Sequence, residues 1–151
     1  VVFNDYADAD EFLKACLELH KDEADPELMF QDCDCTYDWE ESLYKECGNY
    51  EAYYEVKEAL DYHNVNGDVF SAWLEATGED ATGENVEKCS DQYCGQYDNP
   101  ADYAEELTSD CYNMRDIPDV IRYHIDYEGI WRDMSYEGYH HENGYIFDIN
   151  R

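Results

Sequence analysis

The sequence predicts an α+β protein that is mostly helical, built of small modules and closed by a short C-terminal β-hairpin or antiparallel sheet. Apolar and aromatic residues recur every three or four positions over most of the chain, the period of helices with one buried face. Asn143-Gly144 is the pair that favours a tight type I′ turn between two short strands. A chain this acidic needs a strong core, and 16 Tyr, 5 Phe and 3 Trp supply large side chains for one.

The first helix is expected to begin at Asp8 or Asp10, because either carboxylate can cap a helix N-terminus, with Glu11 as the capping-box partner of Asp8. It is expected to end near the Asp-Pro pair at 25–26, since proline cannot continue a helix. The connection that follows contains a possible short strand at 29–30, a Met-Phe pair.

Two helical patterns fill residues 38–62, divided by the Gly-Asn pair at 48–49. A further short helix is expected over 69–78, closed by Gly78. The stretch 79-EDATGEN-85 is polar and contains a glycine, and it is therefore the best linker candidate.

The C-terminal third is predicted to hold three helices and the hairpin. The first helix is expected near 84–94, and the second begins where Asn99-Pro100 supplies a cap and a first-turn proline. A third is expected over 119–134, after another proline, and 139–149 should form the hairpin. These elements suggest an N-terminal α/β module at 1–36, a helical middle module at 37–82 and a C-terminal α+β module at 83–151.

Net charge is the dominant feature of the composition. Asp and Glu number 39 against 9 Lys and Arg, which gives a formal net charge of -30. Solubility of a small domain needs a net charge of only about 2–8, so the excess suggests that the negative electrostatic field has a function of its own. Direct nucleic-acid binding is excluded because it relies on Lys and Arg. A membrane partner is excluded too, because anionic lipid would repel the surface.

Enzyme and metal chemistry find no support in the residue pattern. Carboxylates are so frequent that no pair is singled out for acid–base catalysis. The acidic loop starting at Asp32 has Tyr37 at the glycine position of an EF-hand and Leu43 at its bidentate glutamate position. The Cys and His clusters lack the paired spacing of structural zinc sites. We therefore expect no enzyme activity, no metal and no cofactor.

The segment 101-ADYAEELTSDC-111 shows how the charge is arranged. At helical spacing Tyr103, Leu107 and Cys111 share one face, while acidic residues occupy the other. Carboxylates three or four positions apart on a helix lie about 5–6 Å apart at Cβ, which is of the same order as neighbouring phosphates on one DNA strand. A rigid acidic helix can thus copy a phosphate row, whereas a disordered tail would lose ordering entropy on binding.

Three segments resemble the ArdA family of antirestriction proteins, in matching order along nearly the whole chain. They are 5-DYADADEFLKACLELHKDEADPELMFQD-32, 91-DQYCGQYDNPADYAEELTSD-110 and 117-IPDVIRYHIDYEGIWRDM-134. The most family-like portion combines Pro118, Tyr123, 125-IDYE-128 and Arg132-Asp133. Only residues 1–4 precede the first segment, where the family has β-strands, so we expect the first module to lack those strands or to replace them.

The resemblance implies an elongated, three-module protein without enzyme activity that mimics bent B-form DNA. Such a protein occupies the DNA groove of type I restriction–modification enzymes, at the methyltransferase core, and protects incoming mobile elements. The expected partners are that enzyme and a second copy of the chain, a homodimer joined through the C-terminal module. A cytoplasmic location is expected, because the 7 Cys form no regular disulfide framework and no signal peptide is recognised.

Within this resemblance, surface carboxylates are expected to act collectively as the DNA-mimic surface. They are Glu40, Glu41, Glu51, Glu55, Glu58, Glu84, Glu87, Asp91, Asp102, Glu105, Glu106 and Asp110. A second set is apolar enough for the core or for a dimer interface, namely Tyr123, Ile125, Tyr127, Ile130 and Trp131.

Two alternatives stay open at this point. One is an acidic binding module that inhibits another DNA-binding protein, such as a CRISPR effector or other nuclease, or that acts like a histone chaperone. The other is an enzyme from a salt-loving organism, in which surface acidity serves only solvation.

Overall fold

The computed structural model describes residues 5–28, 34–43 and 49–151. Within these ranges the chain forms helices and one three-stranded antiparallel sheet, which confirms the predicted α+β class. The helices are α1 (Ala9–Leu19), α2 (Asp38–Leu43), α3 (Tyr50–His63), α4 (Gly67–Thr77), α5 (Gly83–Gln92), α6 (Pro100–Cys111), α7 (Asp119–Arg122) and α8 (Tyr127–Tyr136). The strands are β1 (Tyr93–Gln96), β2 (Tyr139–Glu142) and β3 (Tyr145–Asp148).

The chain divides into two compact units. The first comprises the described residues of Val1–Leu74 together with Gly78–Ser90, and the second comprises Glu75–Thr77 with Asp91–Arg151. The division into three modules, with boundaries after residues 36 and 82, stays a prediction.

Side-chain caps fix where α1 begins. The Asp8 carboxylate accepts a hydrogen bond from the Glu11 backbone N–H at 2.8 Å, and Glu11 in turn accepts a backbone N–H from the preceding turn at 2.9 Å. The helix ends at Leu19, earlier than expected. Residues 22, 23 and 25 are all acidic, and the negative end of a helix dipole disfavours such charge in a further turn. The strand predicted at 29–30 lies outside the described residues.

Aromatic rings hold the first unit together. The buried Phe12 ring of α1 lies 5.7 Å from the ring of Tyr50 and 6.2 Å from that of Tyr54, both on α3. Trp39 of α2 stacks on Tyr53 at 5.5 Å with an interplanar angle of 22°. Because each ring removes a large apolar area from water, these contacts are the main cohesion between the short helices.

The second unit contains the sheet, in the order β1-β3-β2. Asn143 and Gly144 have φ values of 50° and 83°, the left-handed conformations of a type I′ turn, so the predicted hairpin is confirmed. Ile146 and Phe147 on the central strand are fully buried. The described part of the chain has no helix long and apolar enough to cross a membrane.

Strand β1 corrects the prediction of a helix near 84–94. Helix α5 ends at Gln92, and Tyr93 pairs with Phe147 of β3. The partner strand lies far along the sequence, so local periodicity could not reveal it. Gly95, with a φ of 139°, follows an irregularity in the pairing.

The helix predicted over 119–134 is two helices. The Asp126 carboxylate accepts the Gly129 backbone N–H at 2.9 Å and so caps α8, which forces the chain out of helical geometry after α7. Helix α6 begins as predicted, capped by Asn99 with a proline in its first turn. Its buried side chains are Ala101 and Ala104, whereas Cys111, expected on the apolar face, is exposed at the helix end.

Tyr54 should make the protein sensitive to alkaline pH. Burial, and next the nearby charge of Asp8, raise the pKa of Tyr54 from 10.0 to about 12. In the unfolded chain the phenol ionises first, so its stabilising contribution is complete below pH 10.0 and is lost as pH rises to about 12. We expect Tyr54→Phe to lose less free energy of unfolding across that interval than the wild type, measured by denaturant titration with a reducing agent present. The exposed Tyr62→Phe is the control, and equal losses in Tyr54→Phe and wild type would contradict the expectation.

Candidate functional site

The outer side of α3 carries a line of carboxylates, here called the α3 row, formed by Glu51, Glu55 and Glu58. Their spacing of four and three positions places them on one side of the helix, and all three are exposed. The opposite side buries side chains such as Val56 and Leu60 in the core of the first unit. The carboxylates are therefore held on a helix that is fixed from behind.

A second line, the α5 row, consists of Glu84 and Glu87, with Asp91 following at helical spacing. All three are exposed, while Val86 and Cys89 are buried on the other side of the helix. Lys88 forms an ion pair with Glu84 at 3.0 Å and offsets part of the charge of this row.

One carboxylate of the α3 row contacts the first residue of helix α5. Glu55 accepts a hydrogen bond from the Gly83 backbone N–H at 3.2 Å. Gly83 allows the approach, because a Cβ there would lie 2.9 Å from the same carboxylate oxygen. Negative charge is favourable at a helix N-terminus, where backbone N–H groups lack helical partners. This bond brings the α3 row next to Glu84, the first member of the α5 row.

The α6 row contains Asp102, Glu105, Glu106 and Asp110, all exposed. Glu106 accepts a hydrogen bond from the Tyr97 hydroxyl at 2.8 Å, and this bond is the main cause of a raised pKa at Tyr97.

Tyrosine rings connect α6 to the sheet. The Tyr97 ring packs edge-on against Tyr103 at 5.2 Å, and Tyr103 in turn contacts the ring of Tyr139 in the sheet at 6.1 Å. Burial is the main cause of the raised pKa values of Tyr103 and Tyr139, so both rings stay neutral at physiological pH. Uncharged tyrosines thus connect α6, which carries the α6 row, to the sheet.

The two predicted carboxylates of α2 differ from each other. Glu41 is exposed. Glu40 is half-buried and accepts backbone N–H groups of Thr36 at 2.6 Å and Tyr37 at 3.1 Å. This helix-start role was not predicted, although a glutamate in the first helical turn is a known signal for it.

Ion pairs can balance little of the negative charge, because 9 Lys and Arg stand against 39 Asp and Glu. The pairs Lys21–Glu18, Lys88–Glu84 and Arg122–Asp119 each join side chains three or four positions apart and lie at the surface. Exposed pairs of this kind contribute about 0–1 kcal/mol each. In both units Asp and Glu outnumber Lys and Arg by more than three to one. Each unit therefore carries its own strong negative field.

The apolar residues predicted for the core or a dimer interface are only partly covered. The side chain of Tyr123 is 76% exposed, and Ile125, Tyr127, Ile130 and Trp131 are half-buried. Their assignment stays a prediction.

Two further apolar residues lie beside Tyr123, on α7. Val120 is 75% exposed and Ile121 is 57% exposed. Their exposure was not predicted, because hydrophobic side chains are usually assigned to the core. We name Val120, Ile121 and Tyr123 the α7 patch.

The described residues contain no cluster suited to binding a metal ion. Among the described residues, no group of three or more His, Cys, Asp or Glu side chains could hold a metal ion. The carboxylate rows are thus surfaces spread along helices, and their members do not converge on a point.

The fold and these surfaces define a class: a strongly acidic, mainly helical α+β protein that presents rows of carboxylates on helices anchored by aromatic packing. A family model described as "Antirestriction protein (ArdA)" matches residues 2–147. The chain therefore belongs to the ArdA family, and its function is that of an antirestriction protein. Neither a curated protein nor a solved structure matches the chain.

Glu55 should matter for stability in a way that its neighbour Glu58 does not. Glu55→Ala removes the acceptor of the Gly83 backbone N–H, and we expect it to lower the free energy of unfolding by about 1 kcal/mol relative to Glu58→Ala. Both variants remove one charge from the same helix face, and neither residue lies in the first turn of α3, where a carboxylate interacts favourably with the helix N-terminus. Denaturant unfolding checks this, and equal stabilities would show that the bond contributes nothing.

Proposed function

We propose that the chain inhibits type I restriction–modification enzymes as a DNA mimic, by occupying the DNA-binding groove of their methyltransferase core. The observation that carries the proposal is the set of exposed carboxylate rows on α3, α5 and α6 in a member of an antirestriction family. In this proposal inhibition needs binding only, and the chain performs no chemistry.

Spacing and charge support the mimicry. Neighbouring carboxylates in a row are about 5–6 Å apart at Cβ, close to the separation of phosphates along a DNA strand. A groove that binds DNA is lined with Lys and Arg, and it therefore attracts a protein with a net charge of -30. The salt concentration sets the distance over which this attraction acts.

Rigidity is the second requirement, and the packing supplies it. The α3 row stands opposite buried Tyr53, Val56 and Leu60, and α6 packs on the sheet through the ring contact of Tyr103 with Tyr139. Helices fixed in this way keep their charges in place before binding, which avoids an entropic cost at the moment of association.

A homodimer joined through the C-terminal part of the chain is included in the proposal. The α7 patch is an exposed apolar surface, and such surfaces commonly mark protein interfaces. A two-fold dimer would use the same patch twice and would double the length of acidic surface. In the cell we place this dimer in the cytoplasm, where it would protect an incoming mobile element.

Displacement of DNA tests the proposed function. The purified protein is titrated into a type I methyltransferase core bound to a short fluorescent duplex, at low and moderate salt. We expect release of the duplex near one binding equivalent. A folded protein that releases no duplex would contradict this target, and a pull-down on other basic DNA-binding proteins would then test the open alternative of a different acidic inhibitor.

The carboxylates should act collectively. One Asp→Asn or Glu→Gln change should weaken displacement only slightly, because it removes a single phosphate-like contact, whereas combined neutralisation should abolish it. The combined variant neutralises Glu51, Glu58, Glu87, Asp102, Glu105 and Asp110. The control neutralises as many exposed carboxylates elsewhere, namely Asp22, Asp25, Glu27, Asp34, Asp133 and Glu137. Equal losses in both would show that only net charge matters, and abolition by one substitution would contradict collective action.

The α7 patch should hold the dimer together. We expect the wild type to elute as a dimer at micromolar concentration and Ile121→Lys to elute as a monomer, because a buried lysine would lose its hydration. Tyr136→Lys, which changes an exposed residue outside the patch, is the control. Sedimentation equilibrium measures the mass, and a monomeric wild type or a dimeric Ile121→Lys would each contradict this interface.

A further inference from the structure

The α3 row ends in an exposed aromatic ring. Glu51, Glu55, Glu58 and Tyr62 follow one another at intervals of four, three and four positions, so all lie on the same side of the helix. The side chain of Tyr62 is 83% exposed. Its ring meets that of the next residue, His63, edge-on at 4.9 Å.

Tyr62 differs from the other tyrosines of its helix. Tyr53 and Tyr54 are buried, and Tyr50 packs against Phe12 in the core. A single exposed tyrosine is ordinary on a protein surface. The position of this one is informative, because the ring extends a surface that is otherwise made of carboxylates.

We propose that Glu58 and Tyr62 together bind an arginine of the target enzyme's DNA groove. The inference rests on the proposed function and names a contact within it. The Glu58 carboxylate would accept guanidinium N–H groups, and the Tyr62 ring, one helical turn away, would stack on the guanidinium plane. Arginine is favoured over lysine because its planar, weakly hydrated cation both pairs with carboxylates and stacks on rings.

The chain contains the same arrangement elsewhere. The guanidinium carbon of Arg122 lies 5.3 Å from the centre of the Tyr123 ring, and Arg122 also pairs with the Asp119 carboxylate. One guanidinium is thus held by a carboxylate and a tyrosine that are close together along the chain. Glu58 and Tyr62 offer the same two groups to a cation from outside.

Such a contact would distinguish the mimic from DNA. Phosphate contacts weaken steeply as salt rises, because their affinity depends on counterion release. Stacking of a ring on a guanidinium depends much less on salt, since part of its energy is desolvation of the ring. The protein would therefore compete better against DNA at higher salt than carboxylates alone would allow.

The test is displacement of a fluorescent duplex from a type I methyltransferase core by the full chain, at two salt concentrations. Tyr62→Ala should raise the protein concentration needed for half-displacement by about 2-fold to 30-fold at both salts, the range of exposed to desolvated cation–π contacts. Tyr62→Phe should keep most of the affinity. Glu58→Gln should lose affinity mainly at low salt. Tyr136→Ala is the control, because Tyr136 is also 83% exposed but follows Arg132 by four positions and belongs to none of the three carboxylate rows.

Tyr62→Leu separates stacking from general apolar contact, and we expect it to behave like Tyr62→Ala. Wild-type affinity in Tyr62→Leu, or unchanged affinity in Tyr62→Ala, would overturn the arginine contact. The proposed function would still stand in either case, provided that the wild type displaces the duplex. An equal loss in Tyr136→Ala would also overturn it. Failure of the wild type itself to displace the duplex would be a failure of the proposed function. Circular dichroism confirms that each variant is folded.

Discussion

Packing between aromatic rings is the interaction on which the structure of the first unit depends. A chain with a net charge of -30 repels itself, and screening at physiological salt acts only beyond about 8 Å. The short helices cannot be stable alone. Phe12 against Tyr54, and Trp39 stacked on Tyr53, connect α1, α2 and α3 through apolar area that carries no charge. These contacts offset the repulsion and leave the outer faces free to be acidic.

Some carboxylates of the proposed binding surface also contribute to folding. Glu55 and Glu40 each accept backbone N–H groups at the start of a helix, and Glu106 accepts a tyrosine hydroxyl. Acidic side chains therefore do more than add negative charge to the surface. Several of them accept hydrogen bonds from backbone N–H groups at helix N-termini, a role that Ser or Asn would fill in a less acidic protein. In the proposed function, the surface that binds a basic groove therefore includes residues that also complete the fold.

The candidate site was predictable to the extent that it depends on helical spacing. Glu51, Glu58 and Glu105 are exposed because their helices bury the opposite side, a pattern visible in the sequence. The bond between Glu55 and Gly83 was not predictable, because it joins residues on different helices. The exposure of Val120 and Ile121 was also missed, since hydrophobic side chains are usually assigned to the core and only packing shows which ones stay outside.

The sequence by itself determined the class of fold, the helix cap at Asn99, the Asn143-Gly144 turn and the acidic surface, and it narrowed the first helix cap to Asp8 or Asp10. These features depend on local chemistry, in which a cap, a turn or a periodic face is specified by residues a few positions apart. Tertiary structure decided the pairing of β1 with β3 and the choice between buried Tyr54 and exposed Tyr62. Both outcomes depend on partners distant in sequence, whose contacts exist only once the chain has folded.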